Sequence, residues 1–244
     1  MNYLKYLKII YRHMKYLKKY RIFESLEDIH LICKKYDIQN YTINHDGSID
    51  VDGDVYLSTR GLVKLPLKFR NVSGYFSCGG NKLTTLEGVP QSVGGDFYCN
   101  SNQLTTLEGA PQSVGGYFHC SYNKLTTLEG APQSVGGYFS CYNNQLTTLE
   151  GAPQSVGGYF SCYNNQLTSL EGAPQSVGDF HCNDNPVFVI WDLFKDYSLV
   201  EFFNDCDIIH DGDRTPSVVI DRLNYFLQEI GKDEVKSVKG YNNI

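Results

Sequence analysis

The stretch LTTLEGAPQSVGGYFSCYNNQ occupies Leu125–Gln145 and recurs unchanged at Leu146–Gln166. Verbatim repetition on this scale marks a repeat architecture. Outward from this pair the period persists: Cys78, Cys99, Cys120, Cys141 and Cys162 stand 21 residues apart, and Cys182 follows after 20. The short interval lacks one glycine, SVGDF replacing SVGGYF. A weaker copy, VDGDVYLSTRGLVKLP, sets Leu57 in the cysteine register 21 residues before Cys78, which gives about seven rungs over residues 51–190.

Within a rung, SVGGYFSC alternates. Val135, Phe139 and Cys141 share one face while Tyr138 and Ser140 take the other, the period-two pattern of a strand. One rung of 21 residues cannot stand alone. Four apolar side chains contribute roughly 1.5–3 kcal/mol each on burial, against roughly 1–2 kcal/mol of backbone entropy per ordered residue. Stacking closes the gap, because each rung buries its neighbour and like side chains fall over like. In this register the thiols point inward as small apolar groups. Side chains in register point the same way, which suits disulfides poorly. A linear file of thiols also does not converge on a tetrahedral metal site. Reduced core cysteines are the expectation, in keeping with a reducing compartment.

The spacing F-x-C-x-x-N-x-L, with Asn81, Asn102, Asn123, Asn144, Asn165 and Asn185 each three residues after a cysteine, resembles the L-x-L-x-x-N-x-L of leucine-rich repeats. The resemblance implies a leucine-rich-repeat β-solenoid of short parallel strands, with α-helical caps at both ends. The extra glycine of most rungs departs from that pattern and predicts a bulge at the strand entry. The layout as a whole resembles leucine-rich-repeat proteins encoded by tailed bacteriophages. That likeness rests on NYTINHDGSIDVDGDVYLS, the LTSLEGAPQSVGG rungs and the closing VKGYNNI. It implies a virus-encoded protein acting in the cytoplasm of a bacterial host, and it brings no known activity. The rungs are also similar to the LTSLP repeats of secreted bacterial effectors. Ubiquitin ligases of that kind carry a large catalytic domain after the repeats; the 191–244 stretch that follows them in this sequence reads as a cap, so ligase activity is not expected.

Four regions follow. Residues 1–22 form a basic amphipathic segment, 23–50 an N-terminal cap of helix and hairpin, 51–190 the solenoid, and 191–244 a helical C-terminal cap. In the N-terminal cap, SLEDIHLICKKY reads as a helix with Ser25 as N-cap and Asp28 completing a capping box. Leu26, Ile29 and Cys33 are expected to face the first rung. YTINHDGSIDV reads as a hairpin turning at Asp46-Gly47. Downstream, Val187 and Ile190 fall in leucine slots. YSLVEFFNDC and TPSVVIDRLNYFLQEIG read as helices, the second with Thr215 as N-cap, Pro216 at its first position and Gly231 as its stop. Its expected apolar stripe is Val219, Leu223, Phe226 and Ile230.

The 244 residues carry a net charge of −6 that is unevenly spread. Seven of the 21 Lys/Arg lie in residues 1–22 with no acid, leaving 14 against 27 Asp/Glu and a balance of −13 for the rest. An acidic body does not bind nucleic acid through phosphate contacts, so any such contact is expected only from residues 1–22. There Lys5, Lys8, Arg12, Lys15 and Lys19 form one helical stripe, the pattern of a segment that lies on anionic membranes or binds acidic partners. Met14 opens MKYLKKY, an echo of MNYLKYLK and a second candidate start. No run is apolar enough for a transmembrane segment, and lysines interrupt any signal-peptide core.

Sites of chemistry are sparse. SIDVDGD resembles a calcium loop, but with Gly53 at the sixth position Ser48 and Thr59 occupy the positions that need Asp and Glu. A strand with outward Asp50 and Asp52 fits better. Glu87, Glu108, Glu129, Glu150 and Glu171 read as a solvated acidic edge, and the paired threonines point apart. Neither the histidines nor the glycines match a catalytic, metal or nucleotide motif. We therefore expect no enzyme activity, no catalytic residue, no metal and no cofactor.

The outer strand face differs from this invariant frame. Before each Phe stand Tyr75, Asp96, Tyr117, Tyr138, Tyr159 and Asp179; after it Ser77, Tyr98, His119, Ser140, Ser161 and His181. After each Cys come Gly79, Asn100, Ser121, Tyr142, Tyr163 and Asn183, and next Gly80, Ser101, Tyr122, Asn143, Asn164 and Asp184. Rigid aromatics beside adaptable polar groups are the composition of binding loops, although a cross-strand Tyr ladder also stabilises a sheet. The expected partner-binding residues are Tyr98, Tyr117, His119, Tyr122, Tyr138, Tyr142, Tyr159, Tyr163 and His181, and the expected partner is a host or viral protein. The alternative is a membrane- or polyanion-targeted protein led by residues 1–22, with the solenoid as rigid spacer.

Overall fold

The computed structural model describes residues 26–194, 209–210 and 216–244. The basic stripe, Ser25, YSLVEFFNDC with Cys206, and Thr215 lie outside the described residues.

Residues 26–35 are helical (α1) and place Ile29 and Cys33 in the core, with Leu26 half-buried. The hairpin forms as the sequence predicts: β1 (Tyr41–Ile43) pairs antiparallel with β2 (Ile49–Val51). Gly47 at its turn takes φ +81°, a left-handed conformation that glycine adopts without a steric penalty.

From there the chain winds into a β-solenoid of about eight turns. Each early rung supplies two short strands: β2 and β3 (Val55–Tyr56), then β4 (Phe69–Val72) and β5 (Phe76–Ser77). The next three rungs add β6 (Ser92–Val93) with β7 (Phe97–Tyr98), β8 (Ser113–Val114) with β9 (Phe118–His119), and β10 (Ser134–Val135) with β11 (Phe139–Ser140). In the last two, each pair fuses into one strand, β12 (Ser155–Ser161) and β13 (Ser176–His181). Two parallel ladders run through all seven rungs, with Phe76, Phe97, Phe118, Phe139, Phe160 and Phe180 in register.

The first glycine of each pair sets how closely the rungs approach. A Cβ at Gly94, Gly115, Gly136 or Gly157 would come under 3.0 Å from a backbone carbonyl oxygen of the preceding rung. The rungs approach too closely for any side chain there. The bulge expected from the extra glycine is not seen between rungs that share it, which pair in register; the register shifts between Val156 and Tyr159, opposite the rung that lacks one glycine.

The interior is a set of files. Phe76, Phe97, Phe118, Phe139 and Phe160 are fully buried, with successive ring centroids 5.1–5.9 Å apart. Stacks of this kind add about 0.5–1.5 kcal/mol per pair beyond area burial. The seven described cysteines are buried free thiols. Each file asparagine stitches two rungs. Asn123 donates through Nδ2 to the carbonyls of Cys99 and Cys120, and accepts the Leu104 N–H at 3.0 Å.

Val187 and Ile190 are buried in the leucine slots, and the Val187 N–H bonds the Leu167 carbonyl. There the chain turns into α2 (Phe188–Phe194), whose Trp191 closes the phenylalanine file edge-on to Phe180 at 5.5 Å. The last helix differs from its sequence expectation. Ser217–Val218 form β15, held between β14 (Ile209–His210) and β16 (Asn242–Asn243), so α3 begins only at Ile220 and runs to Glu229. Strand pairing with residues 25 positions downstream outweighs the local helix signal of Pro216. Gly231 does stop α3, at φ +70°, with Lys232 N–H on Leu227 O and Gly231 N–H on Gln228 O, a Schellman ending. Leu223 and Leu227 are its buried residues, whereas Val219, Phe226 and Ile230 are half-buried. This unit is tied to the solenoid by the Tyr241 hydroxyl, which donates to the Thr168 carbonyl at 2.8 Å.

Candidate functional site

The second glycine of each pair shapes the outer face. A Cβ at Gly137 would come under 3.0 Å from the Tyr117 ring, and one at Gly158 would meet the Tyr138 ring. Each tyrosine thus lies flat on the bare backbone of the following rung. At Gly74 and Gly116 the equivalent obstacles are the carboxylates of Asp54 and Asp96.

The rings then form two files. One runs Tyr56–Tyr75–Tyr98–His119–Tyr142–Tyr163, with successive centroids 5.2, 5.0, 5.5, 5.7 and 4.4 Å apart, and Tyr122 stands edge-on to Tyr142 at 5.3 Å. The other runs Tyr117–Tyr138–Tyr159–His181, with spacings of 4.4, 4.7 and 5.6 Å. All nine sequence-expected residues therefore belong to one or other file. Tyr117, Tyr122, Tyr138 and Tyr159 are exposed, at 38–53 % of their surface, as is His181. Tyr98, His119, Tyr142 and Tyr163 are half-buried. Tyr56 and Tyr75 extend the belt to the first two rungs. Tyr56 was legible in the weak first copy, where Asp54-Val55-Tyr56 falls on Asp96-Phe97-Tyr98 once Leu57 is aligned with Cys99.

The face also follows a pairing rule. Where Asp precedes the buried position, an aromatic follows it: Asp54/Tyr56, Asp96/Tyr98, Asp179/His181. Where Tyr precedes, Ser follows: Tyr75/Ser77, Tyr138/Ser140, Tyr159/Ser161. The contacts give the reason. The Tyr56 hydroxyl donates to Asp54 Oδ2 at 3.0 Å, Tyr98 reaches Asp96 at 3.5 Å, and His181 Nε2 lies 3.3 Å from Asp179. The other oxygen of Asp54 and of Asp96 accepts the backbone N–H of Tyr75 and of Tyr117, both at 2.8 Å. Much of the variation among rungs is thus packing, one ring per rung on alternate sides of the buried position. Burial, and then Asp96, pushes the Tyr98 hydroxyl pKa up; burial, and then Tyr142, does so for Tyr163.

Two expected outward residues are buried. Ser77 is buried and hydrogen-bonds Ser58, and Ser121 is fully buried. Large neighbours cover this column: the Asn100 side chain leans over Gly79, and Tyr142 follows Ser121 in the register.

Rung 4 breaks the rule. It carries His119 after Tyr117 where Ser is the norm, and burial lowers the His119 pKa. Among the described residues, His119 Nε2 and Ser121 Oγ are the buried side-chain polar atoms without a hydrogen-bond partner in the protein. Tyr122 departs as well. Its register position is left-handed in every rung, filled by Thr59, Gly80, Ser101, Asn143, Asn164 and Asp184, and Tyr122 holds it at φ +56°. A bulky side chain there costs roughly 1–2 kcal/mol.

The remaining candidates resolve simply. Asp50 is bound by Arg70 and Asn71, and Asp52 accepts the Ser73 hydroxyl, so both belong to strand contacts. No grouping of three or more potential metal ligands occurs among the described residues. Glu87, Glu108, Glu129, Glu150 and Glu171 are all exposed on one edge. No described helix is long and apolar enough to cross a membrane. The molecule is a solenoid repeat protein. No family model, curated protein or solved structure matches the chain.

Proposed function

We propose that the chain is a non-catalytic leucine-rich-repeat scaffold with helical caps, whose Tyr/Ser/Asn/His face binds a protein partner. Following the phage resemblance, it is a virus-encoded protein acting in a bacterial cytoplasm on a host or viral protein. The observation that carries the reading is the unbroken aromatic belt laid on a glycine frame, with Tyr117, Tyr122, Tyr138 and Tyr159 open to solvent. Tyrosines held this way lose little entropy on binding and supply large amphipathic contact area. In the Tyr117–Tyr138 and Tyr142–Tyr163 stacks the rings cover each other within 8° of parallel. Edges and hydroxyls remain for contact, which favours a protein surface over stacked sugars.

The test is affinity capture from bacterial lysate with the full chain and with Tyr117/Tyr138/Tyr159→Ala, compared by mass spectrometry. A partner retained by the first and lost by the second supports the reading; equal recovery rejects it. Deleting Met1–Tyr20 in parallel separates any contribution of the basic segment, whose loss of liposome or DNA co-sedimentation would mark the targeting alternative.

A further inference from the structure

The ladder of rungs ends differently at its two ends. At the N-terminal end β1 lies antiparallel on β2. At the C-terminal end β13 pairs with β12 on one side and with no described strand on the other. Its Val177 and Phe180 are only half-buried, whereas Val156 and Phe160 one rung earlier are 2 % and 0 % exposed. Ser176, Gly178, Asp179 and His181 are exposed. With six residues, β13 is the longest strand with a free side among the described residues; β1 has three and β3 two. A long free edge is a template for another strand, and proteins that carry one blunt it.

The blunting here falls to one side chain. In rungs 2, 3 and 4 the N–H of the buried phenylalanine donates to the next rung: Phe76 to the Asp96 carbonyl at 2.9 Å, Phe97 to that of Tyr117 at 2.7 Å, and Phe118 to that of Tyr138 at 2.8 Å. Phe180 has no such rung beyond it. Its N–H donates instead to Asp179 Oδ1 at 2.9 Å, within its own strand. Asp54 and Asp96, in the same column, use that oxygen to accept the N–H of Tyr75 and of Tyr117 on the following rung. The other carboxylate oxygen of Asp179 lies 3.3 Å from His181 Nε2, which steadies the carboxylate in this pose.

We infer that Asp179 is an edge guard. Its carboxylate occupies the donor through which a second copy of this chain would add its own β13, and so keeps two solenoids from pairing end to end. The second copy is the occupant that the strand lengths select. No other free edge among the described residues exceeds three residues, so two copies meet β13 to β13 about a two-fold axis, and the pair closes at a dimer. The guard acts whether or not the aromatic belt has a partner.

The experiment takes full-length wild type, Asp179→Ala and Asp179→Asn from dilute to concentrated solution, following mass by light scattering and the Phe180 amide by hydrogen exchange. Alanine removes the acceptor, whereas asparagine keeps an acceptor oxygen without the charge. Asp179→Ala should double in mass as concentration rises, its Phe180 exchange slowing about tenfold or more. Wild type and Asp179→Asn should show one Phe180 rate throughout. A concentration-independent Phe180 rate in Asp179→Ala overturns the proposal, whatever its mass. Slowing in wild type overturns it because the edge is then not shut. Slowing in Asp179→Asn overturns it because charge, and not the filled donor, then keeps the edges apart.

Discussion

The ring of Tyr117 rests on Gly137 of the next rung so closely that a methyl group at that glycine would meet Cδ1 and Cε1 under 3.0 Å. Its neighbour Gly136 meets a backbone oxygen, Gly115 O, instead. A side chain can swing away and a ladder carbonyl cannot. Gly136→Ala should therefore cost about 3 kcal/mol, and Gly137→Ala about 1 kcal/mol with Tyr117 displaced. Urea midpoints of the two variants check the order.

Asn123 is the polar rivet between rungs 3 and 4. Replacing it with Ala leaves the Leu104 N–H without its acceptor in the interior, while the Cys99 and Cys120 carbonyls keep Asn102 and Asn144 as donors. At about 1–3 kcal/mol for a buried group left unpaired, a loss of about 2–3 kcal/mol is expected. Asn100→Ala, at a partly exposed position, should cost well under half of that in the same melt.

The thiol file makes the fold sensitive to alkali. Burial pushes Cys78 and Cys182 up to about 12 from an ordinary 9.0, and raises Cys99, Cys120, Cys141 and Cys162 as well. Their folded-state values lie above the unfolded ones. Their contribution is therefore fully present below about pH 9 and is lost as pH rises towards 12, by about 1.4 kcal/mol per pH unit per thiol. Thermal midpoints should be flat from pH 7 to 8.5 and then drop steeply. A thiol reagent at pH 8 should titrate these cysteines only after denaturant is added. A flat midpoint to pH 11 contradicts the buried register.

Tyr122 separates stability from recognition. Tyr122→Asn places the residue of rungs 5 and 6 at the left-handed position and should raise stability by about 0.5–1 kcal/mol. The same change should weaken partner binding. If Tyr122 only braces Tyr142, the substitution destabilises instead.

Much of the fold was legible because its determinants are local and repeated. The period set the rungs, and alternation placed Phe139 and Cys141 inside and Tyr138 outside. What stayed hidden depends on contacts across rungs. The burial of Ser121, in an outward column, is one such feature. The Asp96–Tyr98 pairing also looks like free variation until Asp96 is seen accepting the Tyr117 N–H of the next rung. Ser217–Val218 look like the first turn of a helix until Asn242–Asn243 arrive to pair with them. Register and composition put the nine expected residues on the outer strand face but did not separate the two files in which their rings lie.

The most direct measurement is the affinity of the captured partner, by calorimetry, for three full-length proteins: wild type, Tyr117→Ser/Tyr138→Ser, and Glu129→Gln/Glu150→Gln on the acidic edge. The tyrosine variant should lose about tenfold or more in Kd, while the glutamate variant stays within about twofold of wild type. An unchanged Kd for the tyrosine variant, or a loss confined to the glutamate variant, would place recognition elsewhere than the aromatic belt.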